Sequence, residues 1–205
     1  MQRFILRQNV ENFRRLLDEK SDEAERRTLQ LLLIAAQRDL AFLDAALDGL
    51  GAAVPVSRDG AYRFVPDAVI VGGFQAAHGK TQRPSLAVDP GPGLHIIDMN
   101  DAYARATLSD RAALIGRPLF EAFPDNPDDP TAEGVSALYT SLRTAGETGR
   151  PHVMAVCRYD VRDGDGKFVQ RYWNPSNTPV FDDDGRLLYL LHQVDDVTGS
   201  VVAGS

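Results

Sequence analysis

The carboxyl-terminal part of the chain constrains the fold most, because strand-like segments alternate there with two acidic, glycine-containing turns. Residues 152–161 alternate in side-chain direction, so one face of this segment should be buried. Residues 168–173 then run back along it. The turns at residues 163–166 and 182–185 contain Asp and Gly, which tolerate the positive φ angles that tight hairpins require. These features predict antiparallel strands joined by short hairpins.

Two further features concern the last two strands. Pro175 follows Asn174 and removes a ladder donor, which predicts a kink in the strand at this point. Residues 187–194 are largely apolar, which is typical of a central strand covered on both faces. We interpret His192, within this segment, as a hydrogen-bonded sheet histidine rather than a ligand-binding one.

The region before these strands predicts a hairpin followed by helices. The segments SLAVD and LHIIDMN are separated by a Pro-Gly-Pro-Gly turn at residues 90–93. Asn100 or Asp101 can cap one short helix, and Asp110 lies near the start of another. Residues 131–149 are long enough for a full helix ending at a glycine. The predicted class is α+β, with helices covering one face of a single antiparallel sheet.

Residues 1–48 contain neither Gly nor Pro, and their apolar residues recur at helical spacing. Asp22 and Glu25 can form a capping box where the pattern breaks, so we predict a helical hairpin. The two apolar stripes can pack on each other within one chain. Alternatively, because two helices bury little surface alone, they can pair with a second copy, and we expect a homodimer.

Residues 49–83 are interpreted as a connector with one short element of its own. The segment VIVGGFQAAHGKT within it has a strand-like apolar run followed by Gly-Lys-Thr. A phosphate-binding P-loop requires four residues between its first glycine and Gly-Lys-Thr, whereas Gly73 and Gly79 enclose five, and Pro84 follows too soon for a helix. We therefore expect no nucleotide-hydrolysing site.

Composition argues against several partner classes. The formal net charge of the 205 residues is −7, and Lys and Arg are dispersed, so nucleic acid is not an expected partner. No apolar run approaches membrane-spanning length, and we expect a cytoplasmic protein that does not contact the membrane. The single cysteine, Cys157, cannot form an internal disulfide, which agrees with a reducing compartment.

Three segments together carry a resemblance to a known family: LHIIDMNDAYARAT, LIGRPLFEAFPDNPDDP and RYWNPSNTPVFDDDGRLLYLLHQVDDVT. In this order they resemble a PAS (Per-Arnt-Sim) domain of the bacterial sensor type that carries an FPDNPDDP loop. The resemblance covers residues 84–198 and leaves residues 199–205 as a tail. It implies a five-stranded antiparallel sheet in the order 2-1-5-4-3, with helices that enclose a small cavity.

The same resemblance implies a non-catalytic role in sensing a signal and passing it through helices. In such proteins Asp-Val-Thr, here residues 196–198, marks the exit into a signalling helix. The expected partner is a downstream signalling protein such as a histidine kinase or a regulator. The alternative is a constitutive protein–protein interaction module that binds no ligand.

Flavin, haem and calcium are disfavoured as cofactors. Flavin-binding relatives carry their reactive cysteine on a helix, whereas Cys157 falls on a predicted strand, and haem-binding relatives use a histidine on the long helix, which has none here. Asp182 and Asp184 are spaced like calcium ligands, but Arg186 follows and no helix flanks them.

A small organic or aromatic ligand remains compatible with the sequence. Aromatic side chains can form an apolar wall with polar tips, Arg171 or Arg158 can hold a carboxylate, and Asn177 can satisfy backbone groups of an irregular strand. The same aromatic residues can equally be ordinary core. The candidate ligand-binding residues are Phe123, Tyr139, Cys157, Tyr159, Arg171, Tyr172, Trp173 and Asn177.

Overall fold

The computed structural model describes residues 1–51 and 64–203. The helices, in chain order, are α1 Gln2–Glu19, α2 Glu23–Asp48, α3 Ala68–His78, α4 Asp101–Ala106, α5 Arg111–Leu114, α6 Leu119–Ala122, α7 Gly134–Thr148 and α8 Thr198–Ala203. The strands are β1 Ser85–Val88, β2 Ile96–Met99, β3 His152–Val153, β4 Cys157–Arg158, β5 Val161–Arg162, β6 Phe168–Val169, β7 Tyr172–Phe181 and β8 Leu187–Asp196.

The main sheet is antiparallel, in the order β2-β1-β8-β7-β3, and β4 also pairs with β7. If β3 and β4 are counted as two pieces of one strand, this is the predicted order 2-1-5-4-3, and the predicted α+β class is confirmed. Strand β8 lies between β1 and β7, as its apolar sequence predicts. Strands β5 and β6 form a separate small hairpin, with Gly166 at a φ of 81° in its turn.

The prediction of one regular strand over residues 152–161 is wrong. Only β3, β4 and the first residue of β5 are strand, and Val153 and Val156 are 68% and 52% exposed. Met154 N donates to Pro175 O, but Pro175 has no N–H that could donate a second hydrogen bond to this edge segment. The edge chain therefore leaves the ladder between β3 and β4.

The predicted kink at Pro175 is also wrong. Strand β7 pairs with β8 in continuous register from Trp173 to Val180, and the register shifts only before Phe181. Because Pro175 O faces β3, its missing N–H faces the same edge, and the ladder to β8 loses nothing. The proline thus interrupts the edge strand rather than its own strand.

The predicted amino-terminal hairpin is present, and Asp22 caps α2 by accepting a hydrogen bond from Glu25 N at 2.9 Å. Helix α2 packs against both α1 and α7. Its residues Ala41 and Ala45 belong to the main core cluster under the sheet. The hairpin is therefore built into the rest of the molecule rather than standing apart from it.

The end of α2 is fixed to the turn between β1 and β2. Gly93 N donates to Ala45 O at 2.8 Å, and Leu50 N donates to Pro90 O at 2.9 Å. Gly49, at a φ of 59°, lies against the backbone of Gly91 so closely that a side chain would collide with it. These contacts place the last turn of α2 on the β1–β2 turn.

The strand-like interpretation of the apolar run after Asp67 is wrong, because the run forms α3. Asp67 caps this helix by accepting from Val69 N at 2.7 Å. Phe74 of α3 is fully buried on the outer sheet face, against Ala87, Ile97, Tyr189 and Leu191. Residues 52–63 of the predicted connector lie outside the described residues.

Residues 198–203, expected as part of the domain end and a tail, form helix α8. Asp196 Oδ1 accepts from Thr198 N at 2.9 Å, and Thr198 Oγ1 accepts from Tyr172 N at 2.9 Å. A helix therefore begins where the Asp-Val-Thr segment leaves the sheet. Across the described ranges, no helix is both long and apolar enough to cross a bilayer.

Candidate ligand-binding cavity

An interior cavity of about 40 Å³ lies between the inner sheet face and the helices. Its wall includes Tyr103 of α4, Leu138 of α7 and His192 of β8. A space of roughly 10–15 Å³ holds one water molecule, so the interior cavity has room for a few atoms in this conformation. A larger guest requires a movement of the wall.

Four of the eight predicted ligand-binding residues line the interior cavity: Phe123, Cys157, Tyr159 and Trp173. The rings of Phe123 and Tyr103 meet edge to face at 6.0 Å between centroids. Burial raises the pKa of the Cys157 thiol, so the thiol stays protonated at neutral pH and is a wall atom rather than a nucleophile.

The other four predicted residues do not line the cavity. Tyr139 follows the wall residue Leu138 in α7, and its hydroxyl donates to Gly49 O at 3.1 Å instead of reaching the cavity. Arg171 lies near Asp196, with Nε 3.5 Å from Oδ2, and Tyr172 accepts a hydrogen bond from Gln170. Asn177 is fully buried beside the cavity wall rather than in it.

Asn177 belongs to a buried polar chain that ends at the cavity. Its Oδ1 lies 2.8 Å from His192 Nδ1, and its Nδ2 donates to Ser141 Oγ at 2.7 Å. Ser141 Oγ lies 2.7 Å from His152 Nδ1. Because an amide oxygen only accepts, His192 must donate from Nδ1, which leaves its Nε2 as an acceptor in the neutral ring.

His192 is both the hydrogen-bonded sheet histidine that the sequence predicted and a cavity residue. Its side chain is buried, and burial lowers its pKa from 6.5 to about 4. The Tyr103 ring meets it edge to face at 6.0 Å, and burial raises the pKa of the Tyr103 phenol strongly. Both groups are therefore neutral at physiological pH, and the charge of the wall residue Asp160 is paired with Arg158.

Tyr159 closes one side of the interior cavity. Its hydroxyl donates to Phe123 O, and its own carbonyl accepts from Trp173 Nε1 at 2.7 Å. Its ring lies so close to Gly134 that a Cβ there would be 2.5 Å from Tyr159 Cδ2. The absence of a side chain at residue 134 is thus what allows the ring to close the wall.

A second void, which we call the acidic cleft, lies beyond this wall and measures about 310 Å³. It is lined by the loop after Phe123, the start of α7 and strand β4. Its charged lining residues are Asp125, Asp129, Glu133, Arg158 and Asp160.

Arg158 is fully engaged by carboxylates of the cleft. Its Nη1 lies 2.8 Å from Asp129 Oδ2, and its Nε and Nη2 reach Asp160 at 2.9 and 2.7 Å. Burial opposes ionisation of Asp160, but hydrogen bonds from Arg158 and Asn126 outweigh it, and the pKa of Asp160 is lowered. The expectation that Arg158 holds a ligand carboxylate is therefore not supported by its contacts.

Asp125 differs from its neighbours in the cleft. It is 7% exposed, and its Oδ1 accepts from Val135 N at 3.1 Å at the start of α7. Its Oδ2 is buried without a hydrogen-bond partner in the described part of the chain. Burial raises the pKa of this carboxyl, partly offset by the hydrogen bonds from Val135 N and Gly134 N and by the charge of Arg38.

Sequence reasoning missed Tyr103, Asp125 and Gly134 as site residues. Asp125 lies in the loop that carried the family resemblance, which could have drawn attention to it, but nothing in the sequence indicates that it is buried. The role of Gly134 depends on a ring 25 positions later in the chain and has no local signal.

The described residues hold no group of three or more His, Cys, Asp or Glu side chains placed to bind a metal ion. Asp182, which was considered as a calcium ligand, instead accepts from Asp184 N at 3.1 Å and from Arg186 N at 2.7 Å. Its carboxylate organises the β7–β8 turn.

Comparison with known proteins identifies the fold. A family model described as "PAS fold" matches residues 82–202. No curated protein matches the chain.

Solved structures with a similar fold include a PAS domain from Colwellia psychrerythraea, at 15% identity and a TM-score of 0.46 over 63% of this chain and 98% of that one. A light-oxygen-voltage domain studied with a flavin analogue matches at 16% identity and a TM-score of 0.43, over 67% of this chain and 91% of that one. The PAS domain of the fruit-fly ELK potassium channel matches at 14% identity and a TM-score of 0.45, over 63% and 95%.

Proposed function

Because the chain belongs to the PAS fold family, which its residues 82–202 match, we propose that it is a non-catalytic sensory module. It binds a small organic molecule in the interior cavity and relays that event through its helices. The observation that carries this proposal is that the cavity wall and helix α2 share one hydrophobic core, which includes Leu138 of α7 and Ala41 and Ala45 of α2.

The relay passes through α7. Leu138 lines the cavity, and the next residue, Tyr139, donates its hydroxyl to Gly49 O at the end of α2. A guest that displaces Leu138 therefore also strains the contact that fixes α2. Packed side chains have few alternative arrangements, so a small displacement at the wall is transmitted to α2 rather than absorbed.

The output is proposed to be a change in association of the amino-terminal hairpin. Its apolar side chains Phe4, Ile5, Leu32 and Phe42 are 68%, 51%, 45% and 42% exposed. Exposed apolar residues on a helical hairpin favour a homodimer, and a downstream signalling protein such as a histidine kinase or regulator is the proposed receiver in the cytoplasm.

The test uses the full chain and its only tryptophan, Trp173, which lines the cavity. A metabolite library is screened by Trp173 fluorescence, and each hit is then examined by hydrogen exchange. We expect saturable ligands that change exchange in α2 as well as around the cavity.

The matched variants are Val194→Phe, which places a larger side chain into the cavity from its wall, and Val153→Phe, which adds the same bulk at a 68% exposed position. The response should vanish in the first and persist in the second. Ligands that bind without any change in α2 would contradict the relay.

The small size of the interior cavity, about 40 Å³, favours a second candidate, a constitutive interaction module that binds no ligand. In that case no compound perturbs Trp173, and the hairpin associates with its partner to the same extent under all conditions. The same screen, followed by light scattering of the full chain with and without each hit, separates the two functions.

A further inference from the structure

The interior cavity and the acidic cleft share part of their walls. Gly134, Cys157, Tyr159 and Asp160 line both voids. The ring of Tyr159 is the bulkiest of these groups, and its hydroxyl is held by one hydrogen bond to Phe123 O. Rotation of this ring would join the space of about 40 Å³ to the space of about 310 Å³. The joined volume falls in the size range of small-molecule sites.

The charge of the acidic cleft is unbalanced. Arg158, its one cationic lining residue, is engaged by Asp129 and Asp160. Glu133 is exposed to solvent at the start of α7. The carboxylate that remains is Asp125, whose buried Oδ2 has no hydrogen-bond partner within the described residues.

A buried carboxylate oxygen without a donor is destabilising, because it has lost its hydrogen bonds to water and no protein donor replaces them. Arg38 of α2 acts on Asp125 through its charge, but no hydrogen bond joins it to Oδ2. A donor supplied by a ligand would therefore gain a charge-assisted hydrogen bond at a site that is already desolvated.

We propose that the ligand of this site is a small primary amine with an apolar, preferably aromatic, body. Its ammonium group binds Asp125 Oδ2, and its body passes the displaced Tyr159 ring to lie in the interior cavity beside Tyr103 and Trp173. The largely apolar cavity wall suits the body, and the buried, unpartnered Oδ2 of Asp125 suits one positive charge. This inference rests on the proposed sensory function and assigns the ligand class.

The experiment compares three probes of similar size on the full chain: 2-phenylethylamine, 2-phenylethanol and 3-phenylpropionate. Binding is followed by Trp173 fluorescence and by calorimetry at pH 7. The amine should bind saturably and at least tenfold more tightly than the alcohol, and the carboxylate should bind more weakly than both.

The variant is Asp125→Asn, which keeps an Oδ1 acceptor for Val135 N. The control is Asp128→Asn, an exposed position in the same loop. Asp125→Asn should weaken binding of the amine at least tenfold and leave binding of the alcohol unchanged. Asp128→Asn should leave the affinity for both probes unchanged. Circular dichroism verifies folding, and if Asp125→Asn does not fold, the comparison of amine and alcohol on the unaltered chain still decides.

Equal affinity for the amine and the alcohol would overturn the ligand class and leave the sensory function standing. Amine binding that is unchanged in folded Asp125→Asn would also overturn it, because the charge would then be recognised elsewhere. If none of the three probes binds, the inference fails, and the library screen described above decides separately whether the module senses any small molecule.

Discussion

The ring of Tyr159 packs directly on the backbone of Gly134, and a Cβ at residue 134 would lie 2.5 Å from Tyr159 Cδ2 and 2.7 Å from Asp125 Oδ1. Gly134 is the first residue of α7 and is buried. One position without a side chain therefore lets an aromatic wall and a capping carboxylate meet at the start of the same helix. This contact fixes the Tyr159 side of the interior cavity wall.

The substitution Gly134→Ala should open this wall. The added methyl group must displace the Tyr159 ring or Asp125, at a cost of about 1–3 kcal/mol for overpacking. The better helix propensity of Ala offsets up to about 1 kcal/mol of this. Quenching of Trp173 fluorescence by acrylamide, which is weak while this side chain is 4% exposed, should increase.

The control for this experiment is Gly164→Ala, in the β5–β6 turn, where nothing lies within 4 Å of an added Cβ. Quenching should be unchanged there. If Gly134→Ala is folded and its Trp173 remains as shielded as in the unaltered protein, the ring does not close the cavity in the way its position indicates.

Burial of His192 predicts a loss of stability in mild acid. Its pKa is about 4 in the folded protein against 6.5 for an unperturbed histidine. Above pH 6.5 both states are neutral and the stability is fully present. As the pH falls from 6.5 toward 4, His192 becomes protonated in the unfolded chain but stays neutral in the folded one. The free energy of unfolding therefore decreases, by an amount that approaches about 3 kcal/mol.

Urea unfolding at pH 7 and pH 4.5 measures this loss, and His192→Gln isolates it. The variant should be less stable at pH 7 but should lose less stability on acidification than the unaltered protein. Burial also lowers the pKa values of His78 and His95, and these contributions cancel because both proteins retain them. Equal losses in the two proteins would show that His192 is not the group that titrates.

The hairpins β1–β2 and β7–β8 could be predicted from sequence, because each carries its own turn signal, whereas the order 2-1-5-4-3, which places β1 beside β8, was implied only by the resemblance to the PAS family. The glycine turns, the Pro-Gly run at residues 90–93 and the apolar strand β8 need no long-range information. The interruption between β3 and β4 could not be predicted in this way. It arises because Pro175 on the neighbouring strand has no donor for that edge, a relation that appears only once the register of β7 is known.

For the candidate site, the sequence predicted the types of residue involved but not which of them meet in the fold. Aromatic residues were expected near the cavity, and Phe123, Tyr159 and Trp173 do line it. Tyr139 has the same chemistry but faces α2, since its position on the turn of α7 decides its direction. The acidic character of the cleft was missed because Asp125 and Asp160 are 35 positions apart and meet only through the packing of the loop on β4.

Helix α3 should be anchored by one side chain. Phe74 is fully buried on the outer sheet face and meets Tyr189 edge to face at 6.4 Å. Truncation by Phe74→Ala should cost about 3–5 kcal/mol in urea unfolding, because it removes apolar contact and leaves a cavity. Val69→Ala, on the same helix at an 82% exposed position, should change stability by less than about 0.5 kcal/mol. Similar effects of the two would mean that α3 is not held by the sheet.

The hydrogen bond between α7 and the end of α2 can be tested by removing one hydroxyl group. Tyr139→Phe removes the hydroxyl that donates to Gly49 O at 3.1 Å and leaves that carbonyl without this partner. We expect a loss of about 1–2 kcal/mol and faster hydrogen exchange at the amides of Leu50 and Gly93, which fix the end of α2.

Tyr172→Phe is the matched control, because within the described ranges its hydroxyl accepts a hydrogen bond from the exposed side chain of Gln170 and has no other hydrogen-bond partner to lose. It should leave exchange at Leu50 and Gly93 unchanged. A ligand identified by the fluorescence screen should still bind Tyr139→Phe but should no longer alter exchange in α2. If the altered protein transmits the ligand signal as fully as the original, the coupling passes through the apolar packing of Ala41 and Ala45 rather than through this hydrogen bond.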